Sequence, residues 1–229
     1  LMYAYPSSFP LDILPVIRDH PVICNYLDMP IQHISDPVLK SMRRGISRRA
    51  TRDLIATIRT QVPAIALRTT LIVGYPNEGD REFDELLDFV RESEFERLGV
   101  FAYSQEEKTF AHDLGDPVPD EVKQERIERI MQAQQEISAR KNDARIGTRI
   151  RVFVEGESGG EYICRSEWDA PEVDGEVYVT STEKLLPGDF VEVDVNGAME
   201  YDLFADAIPD TRSPAVPLSG AEPLLPILG

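Results

Sequence analysis

Cysteine is nearly missing from this chain: 229 residues contain two, Cys24 and Cys164. They lie far apart, and neither has a partner at CxxC spacing. By themselves they hold neither a four-cysteine zinc site nor an iron–sulfur cluster, so they read as buried free thiols and no metal ligands are expected here. Long apolar runs are missing too. No stretch of about 18 consecutive apolar residues occurs, which excludes a membrane-spanning helix. No basic segment leads into an apolar one at the start, so no secretory signal and a cytoplasmic location are expected. Positive charge is the scarcer sign, with 24 Lys and Arg against 41 Asp and Glu and a formal net charge of −17. A general nucleic-acid binder needs a positive footprint to displace counterions, and this composition lacks it. The plainer reading of the acid excess is a solvated surface that keeps the protein soluble.

What is present divides the chain in three. Up to residue 145, strand-like apolar runs (Leu1–Tyr5, Val22–Met29, Ile65–Val73, Leu98–Tyr103) alternate with helical patterns. Ile13, Leu14 and Ile17 recur at helical spacing, as do Leu54, Ile55, Ile58 and Val62, and then Phe83, Leu86, Leu87 and Val90. Strand–helix alternation over short links predicts parallel strands covered by helices, too few to close an eight-stranded barrel but enough for part of one. Leu1-Met2-Tyr3-Ala4-Tyr5 has no cap, turn or polar lead-in, from which a segment upstream is expected. Pro119-Asp120 starts a long charged helix that runs to Gly147 and reads as a strut between domains. From 146 to 208, short β-branched or alternating runs separated by Gly159-Gly160, Asp174-Gly175, Pro187-Gly188 and Asn196-Gly197 predict a small antiparallel barrel of OB-like size. Residues 209–229, rich in proline and without amphipathic period, read as a disordered tail.

Three stretches carry chemistry, each at the C-terminal end of an expected strand, where parallel α/β architectures collect ligands. Tyr26-Leu27-Asp28-Met29-Pro30-Ile31-Gln32-His33 delivers an amide and an imidazole, and Arg43-Arg44 follow one short helix later. Guanidinium groups placed there can hold a carboxylate bidentately. Taken alone, His33 is first a hydrogen-bonded structural residue and the Arg pair a solvated helix end. Arg68-Thr69-Thr70-Leu71-Ile72-Val73-Gly74-Tyr75-Pro76 ends an apolar strand in bare backbone beside an aromatic ring, a surface suited to an adenine or equally to a plain turn. Phe101-Ala102-Tyr103-Ser104 offers hydroxyls.

In this order and separation the three stretches resemble the radical-SAM methylthiotransferases. Arg165-Ser166-Glu167-Trp168-Asp169-Ala170-Pro171-Glu172-Val173-Asp174-Gly175 and the later Glu200-Tyr201-Asp202-Leu203 resemble the type that modifies a ribosomal protein. The resemblance implies an α/β fold in which the later half of a radical-SAM partial (β/α) barrel is followed by a TRAM domain. It implies S-adenosylmethionine and two [4Fe–4S] clusters as cofactors, one bound by a CxxxCxxC motif that this chain does not contain. The implied reaction is methylthiolation of an aspartate β-carbon in small-subunit ribosomal protein twelve, with relatives that act on a transfer-RNA adenosine. Carried onto this sequence, the S-adenosylmethionine pocket falls on Gln32, Arg44, Thr70, Gly74 and Tyr103, with no catalytic residue in the chain. Asn77 and Lys108 stand where the family usually has glycine.

Charge bears on the substrate. Between 146 and 208 there are 15 acidic residues against Arg149, Arg151, Arg165 and Lys184. Such a domain repels RNA phosphates and attracts a basic ribosomal protein, with the ribosome as a further partner. Glu167, Asp169, Glu172 and Asp174 are the candidates for meeting that protein; a hairpin with a merely geometric Asp-Gly turn is the alternative. Two other functions stay open: a transfer-RNA methylthiotransferase, which the acidic domain disfavours, and a non-catalytic module that binds ribosomal proteins.

Overall fold

The structure, a computed structural model, describes residues 1–214. Its first half is a parallel sheet of β1 (Tyr26–Asp28), β2 (Ala66–Val73) and β3 (Arg97–Ala102), in that order. Side chains alternate across β2 as a strand requires. Leu67, Leu71 and Val73 enter the core, whereas Arg68, Thr70 and Ile72 stand on the opposite face. The helices α1 (Leu14–Asp19), α3 (Arg48–Gln61), α4 (Asp80–Ser93) and α5 (Asp120–Asp143) all cover the core face, and α2 (Asp36–Ser41) lies at the top edge. Ser47 caps α3 by accepting from Ala50 N, and Glu82 turns back to the Gly79 amide at the start of α4. The expected strand at Leu1–Tyr5 is reduced to one parallel pairing, in which Leu1 N donates to Tyr26 O and Leu1 O accepts from Asp28 N, both at 2.9 Å. The chain turns at Tyr3, whose φ is 58°, and keeps one more backbone bond to the strand, from Ala4 N to Asp28 O at 2.8 Å.

The helix read as a strut does more than link. α5 buries Ile130, Ala133 and Ile137 in the first core and sends Lys123, Arg126 and Gln134 inward among the strand ends. Glu96, at the start of β3, ties three elements together. It accepts from Leu67 N at 2.8 Å and Arg59 Nη1 at 3.1 Å and pairs with Lys141. Burial pushes its carboxyl up, but Arg59 and Lys141 more than reverse this and hold the pKa below the ordinary value. A depressed folded-state pKa contributes stability that is full above the unfolded carboxylate pKa of about 4.3 and lost as pH falls through the folded value. Glu96→Gln should therefore lose about 1.5–3 kcal/mol at neutral pH. In urea titrations over a pH series, the gap to wild type should close in acid; a gap that is constant with pH would refute the assignment.

The second half is a closed barrel of β4 (Arg149–Ser158), β5 (Glu161–Arg165), β6 (Val177–Thr180), β8 (Leu203–Ala207) and β7 (Asp189–Ala198), sealed by β4 pairing with β7. Four of its five pairings are antiparallel, as expected, and β6–β8 is parallel. Val152, Val154, Cys164, Val177, Val193 and Leu203 fill its interior. Cys164 is therefore a buried thiol, which burial pushes up to about 12; Cys24, expected to be buried as well, is exposed ahead of β1. The region read as a tail opens with order. Ser213–Pro214 form β9 against β7, and the remainder of that reading, 215–229, lies outside the described residues.

Candidate functional site at the strand ends

The face of the parallel sheet opposite the helices is filled at one end and hollow at the other. At the C-terminal ends of the strands lies a cavity of about 610 Å³, within the range of small-molecule sites. Gln32, Arg44, Thr70 and Tyr103, four of the five residues placed in a pocket by sequence, line it. Gln32 is held in a strained backbone, φ 74°, by a parallel bridge to β2: its N–H donates to Thr70 O and its carbonyl accepts from Ile72 N. Strain of this kind persists only where the surroundings over-determine it. Its Oε1 is buried without a partner, and so is Arg44 Nε. Arg44 donates through Nη2 to Pro30 O at 2.6 Å, and burial lowers its pKa from the ordinary value. Both atoms are shielded from solvent, so a molecule in the cavity that these two residues line would meet them only after the side chains turn toward it.

The fifth residue is a correction. Gly74 does not line the cavity: its N–H donates to Glu78 Oε1 at 3.0 Å, and its bare Cα, at φ 75°, is a saddle for the stem of Lys123. Lys123 then donates to Tyr103 O at 3.2 Å and Asp116 Oδ2 at 2.6 Å. Tyr103 presents its ring, packed edge-to-face on Tyr75 with centroids 5.2 Å apart, while its hydroxyl is committed to Ala111 O at 3.0 Å. His33 is fully buried. Its Nδ1 accepts from Ser35 N at 3.0 Å and its Nε2 faces Glu78 at 3.2 Å, so Nε2 carries the proton. Glu78 also accepts from Arg126 at 2.8 Å, which joins the ends of β1 and β2 to α5. Neither Lys123 nor Arg126 was legible as a site support, because a cation inside a charged helical pattern gives no sign of pointing inward. Asn77 has turned to Ser41 Oγ at 2.9 Å, and Lys108 adopts φ 66°, a backbone that suits glycine.

The filled end corrects a second expectation. The loop Ser166–Gly175 of the barrel lies across the N-terminal ends of the strands. Asp169 is buried against Arg97, with Nε at 2.8 Å, and against the Ser166 hydroxyl. Asp174 accepts from Arg68 Nε at 3.2 Å, Tyr26 Oη at 2.7 Å and Ala170 N at 2.9 Å. Ala170 packs on Tyr26 and Ala66, and the Arg145 guanidinium lies 4.1 Å from the Trp168 ring centre. Asp169 and Asp174 therefore clamp the two halves together and face no partner; Glu167 and Glu172 alone of the four remain exposed. The reason is reciprocal: without these carboxylates Arg97 would be buried with no counter-charge and Arg68 would keep Asp28 alone, at 3.3 Å.

Residues 146–208 match the family model described as the TRAM domain. The chain is 51% identical over 212 residues to the ribosomal protein uS12 methylthiotransferase RimO of Chloroherpeton thalassium, covering 91% of this chain and 49% of that protein. The protein of the same name from Porphyromonas gingivalis is 51% identical over 208 residues, with 90% and 48% covered, and that from Cytophaga hutchinsonii 49% over 209 residues, with 91% and 48%. The chain thus spans about half the length of the curated relatives it matches. Among solved structures, Escherichia coli coproporphyrinogen III oxidase (HemN), a radical SAM enzyme, overlays with a TM-score of 0.46 at 16% identity, over 82% of this chain and 44% of that one.

Proposed function

We propose that this chain belongs to the uS12-type methylthiotransferases it resembles, and that it is part of an enzyme that methylthiolates an aspartate of ribosomal protein uS12. In this reading residues 1–145 are barrel with its joining helix and 146–208 the TRAM domain. The observation that carries it is the cavity at the ends of the parallel strands, lined by Gln32, Arg44, Tyr75 and Tyr103. An S-adenosylmethionine molecule fits that donor set. Gln32 accepts from an amino group, Arg44 donates to a carboxylate or hydroxyl, and Tyr75 and Tyr103 supply flat apolar walls. Bound there, S-adenosylmethionine supplies the hydrogen-abstracting and methyl-donating chemistry of the family. The residues of this chain bind it, orient it and shield it. His33, Glu78 and Lys123 hold the three strand ends in register beneath it.

An iron–sulfur cluster does not fit the residues present. Cys164 is sealed inside the barrel, Cys24 is exposed away from it, and no group of three metal-ligating side chains occurs among the described residues. The protein substrate is a basic ribosomal protein, and the acidic barrel surface complements its charge. Asp169 and Asp174, bound internally, take no part in meeting it; Glu167 and Glu172 do. No helix among the described residues is long and apolar enough to cross a membrane.

The test uses the full-length protein and the non-reacting analogue S-adenosylhomocysteine in titration calorimetry. Gln32→Leu and Arg44→Met should each weaken binding about tenfold, the value of one hydrogen bond to a charged group. Unchanged affinity in both variants would reject the pocket.

A further inference from the structure

In an acidic protein, the cations left without acids are informative. Among the described residues, 17 of the 24 lysines and arginines stand within 4 Å of a carboxylate. Of the seven that do not, four gather in one place: Lys40, Arg43, Arg44 and Lys108 surround the mouth of the cavity. Arg43 lines both the cavity and a neighbouring recess of about 560 Å³ bordered by Lys40, Gly45 and Ser47. Lys108 sits in the loop between Glu106 and Thr109, which line the cavity from the other side. Aromatic faces are interleaved with these cations. The Arg43 guanidinium lies 3.8 Å from the Phe110 ring centre, and Phe101 is 60% exposed beside it. Four acids stand nearby: Asp36 accepts from the Arg48 amide, Glu106 accepts from the Ser104 hydroxyl, and Glu107 and Asp113 stand exposed in the segment that carries Lys108 and Phe110.

We propose that this rim binds RNA, with Lys40, Arg43 and Lys108 on phosphates and Phe101 against a base. This rests on the ribosomal-protein reading above and adds to it. A ribosomal protein is presented on a surface of RNA, so a loop entering the cavity brings phosphates to the mouth. Unpaired, exposed cations set among exposed aromatic rings are how proteins hold single-stranded nucleic acid, because phosphates need counter-charge and every base has a stacking face. An acidic peptide is the poorer match, since it has no use for an exposed ring flanked by cations. The charges of the molecule are thereby divided: the acidic barrel faces the basic protein, and the basic rim faces the RNA that carries it. The net charge of −17 makes the rim a local site rather than a general affinity for nucleic acid.

The test compares full-length wild type with the Lys40→Ala/Lys108→Gly double variant. Both positions are exposed, and glycine suits the left-handed backbone at 108. Binding is measured across a salt series to purified small ribosomal subunits, to isolated uS12 and to a single-stranded RNA oligonucleotide. On subunits and oligonucleotide the salt slope should shrink by about two phosphate contacts, with affinity falling about tenfold or more at low salt. Binding to isolated uS12 should not change. Phe101→Ala should weaken RNA binding at every salt concentration and leave the slope alone. An unchanged slope on RNA, or equal losses on isolated uS12, overturns the proposal. The substrate reading fails separately: if wild type leaves uS12 unmodified while the slope on the oligonucleotide still drops, the rim stands and the uS12 assignment falls.

Discussion

Asp169→Ala should destabilise the chain by about 3–5 kcal/mol, the usual cost of removing one partner from a buried ion pair. The cause is the group left behind. Arg97 is 7% exposed, lies at the start of β3 beneath the Ser166–Gly175 loop, and has Asp169 as its carboxylate partner. Water cannot easily reach the stranded guanidinium, so the loop must lift away or the charge must stay buried and unpaired. Either outcome loosens the contact of Ala170 with Tyr26 and Ala66 and the stacking of Arg145 on Trp168. Urea unfolding should show the drop in midpoint, and limited proteolysis should show earlier cleavage near 143–149, between helix and barrel. The double variant Asp169→Ala/Arg97→Met separates a lost attraction from a stranded charge. It removes the unpaired cation and should recover much of the loss, because apolar replacement of a buried pair is often close to neutral. A double variant as unstable as the single one would mean that the loop is held by its shape and that the ion pair is incidental.

Gly74→Ala is expected to be nearly as damaging, for a different reason. The left-handed backbone at φ 75° costs an alanine about 1–2 kcal/mol. The new methyl would also overlap the side chain of Lys123, and overpacking of this kind costs about 1–3 kcal/mol. Lys123 cannot move freely, since its ammonium is bound to Tyr103 O and Asp116. Displacing it pulls on Tyr103, which lines the cavity, so affinity for S-adenosylhomocysteine should fall together with stability. Gly74→Ala/Lys123→Ala relieves the overlap and leaves the backbone cost. A double variant that regains none of the lost stability would show that the backbone alone is responsible.

The elements were legible where a period reported burial. Phe83, Leu86, Leu87 and Val90 recur at helical spacing because one side of α4 meets the sheet, and all four are buried. β2 was legible from the apolar residues at its two ends, Ala66-Leu67 and Leu71-Ile72-Val73, although Arg68-Thr69-Thr70 interrupt them. Leu1–Tyr5 failed because composition does not reveal where a chain leaves a ladder, and Tyr3 turns it out after one pair. β6–β8 was missed as a parallel pair because turn residues report where strands end, not which ends meet. At the site, Gln32, Arg44, Thr70 and Tyr103 were named from the resemblance to the methylthiotransferases, and the structure brings them around one cavity. Gly74 was misassigned because a glycine that admits a ligand and one that admits a lysine look alike in sequence. Asp169 and Asp174 were misread for a related reason. A carboxylate in an acidic domain reads as surface until the arginine opposite it is known, and Arg97 lies 72 residues away.

The clamp also bears on how such chains can be recombined. The barrel at 146–208 looks like a detachable module, with a matching family model of its own and a closed ring of strands. Its loop is nevertheless cut to two arginines that belong to the other half. A barrel transplanted from a relative without counterparts of Asp169 and Asp174 would leave Arg97 unpaired and Arg68 with Asp28 alone, and this barrel placed on a foreign sheet would carry two carboxylates with nothing to meet. A working chimera has to move Arg68, Arg97, Asp169 and Asp174 as one set, so the crossover point that divides the domains in sequence is not the one that divides them in inheritance.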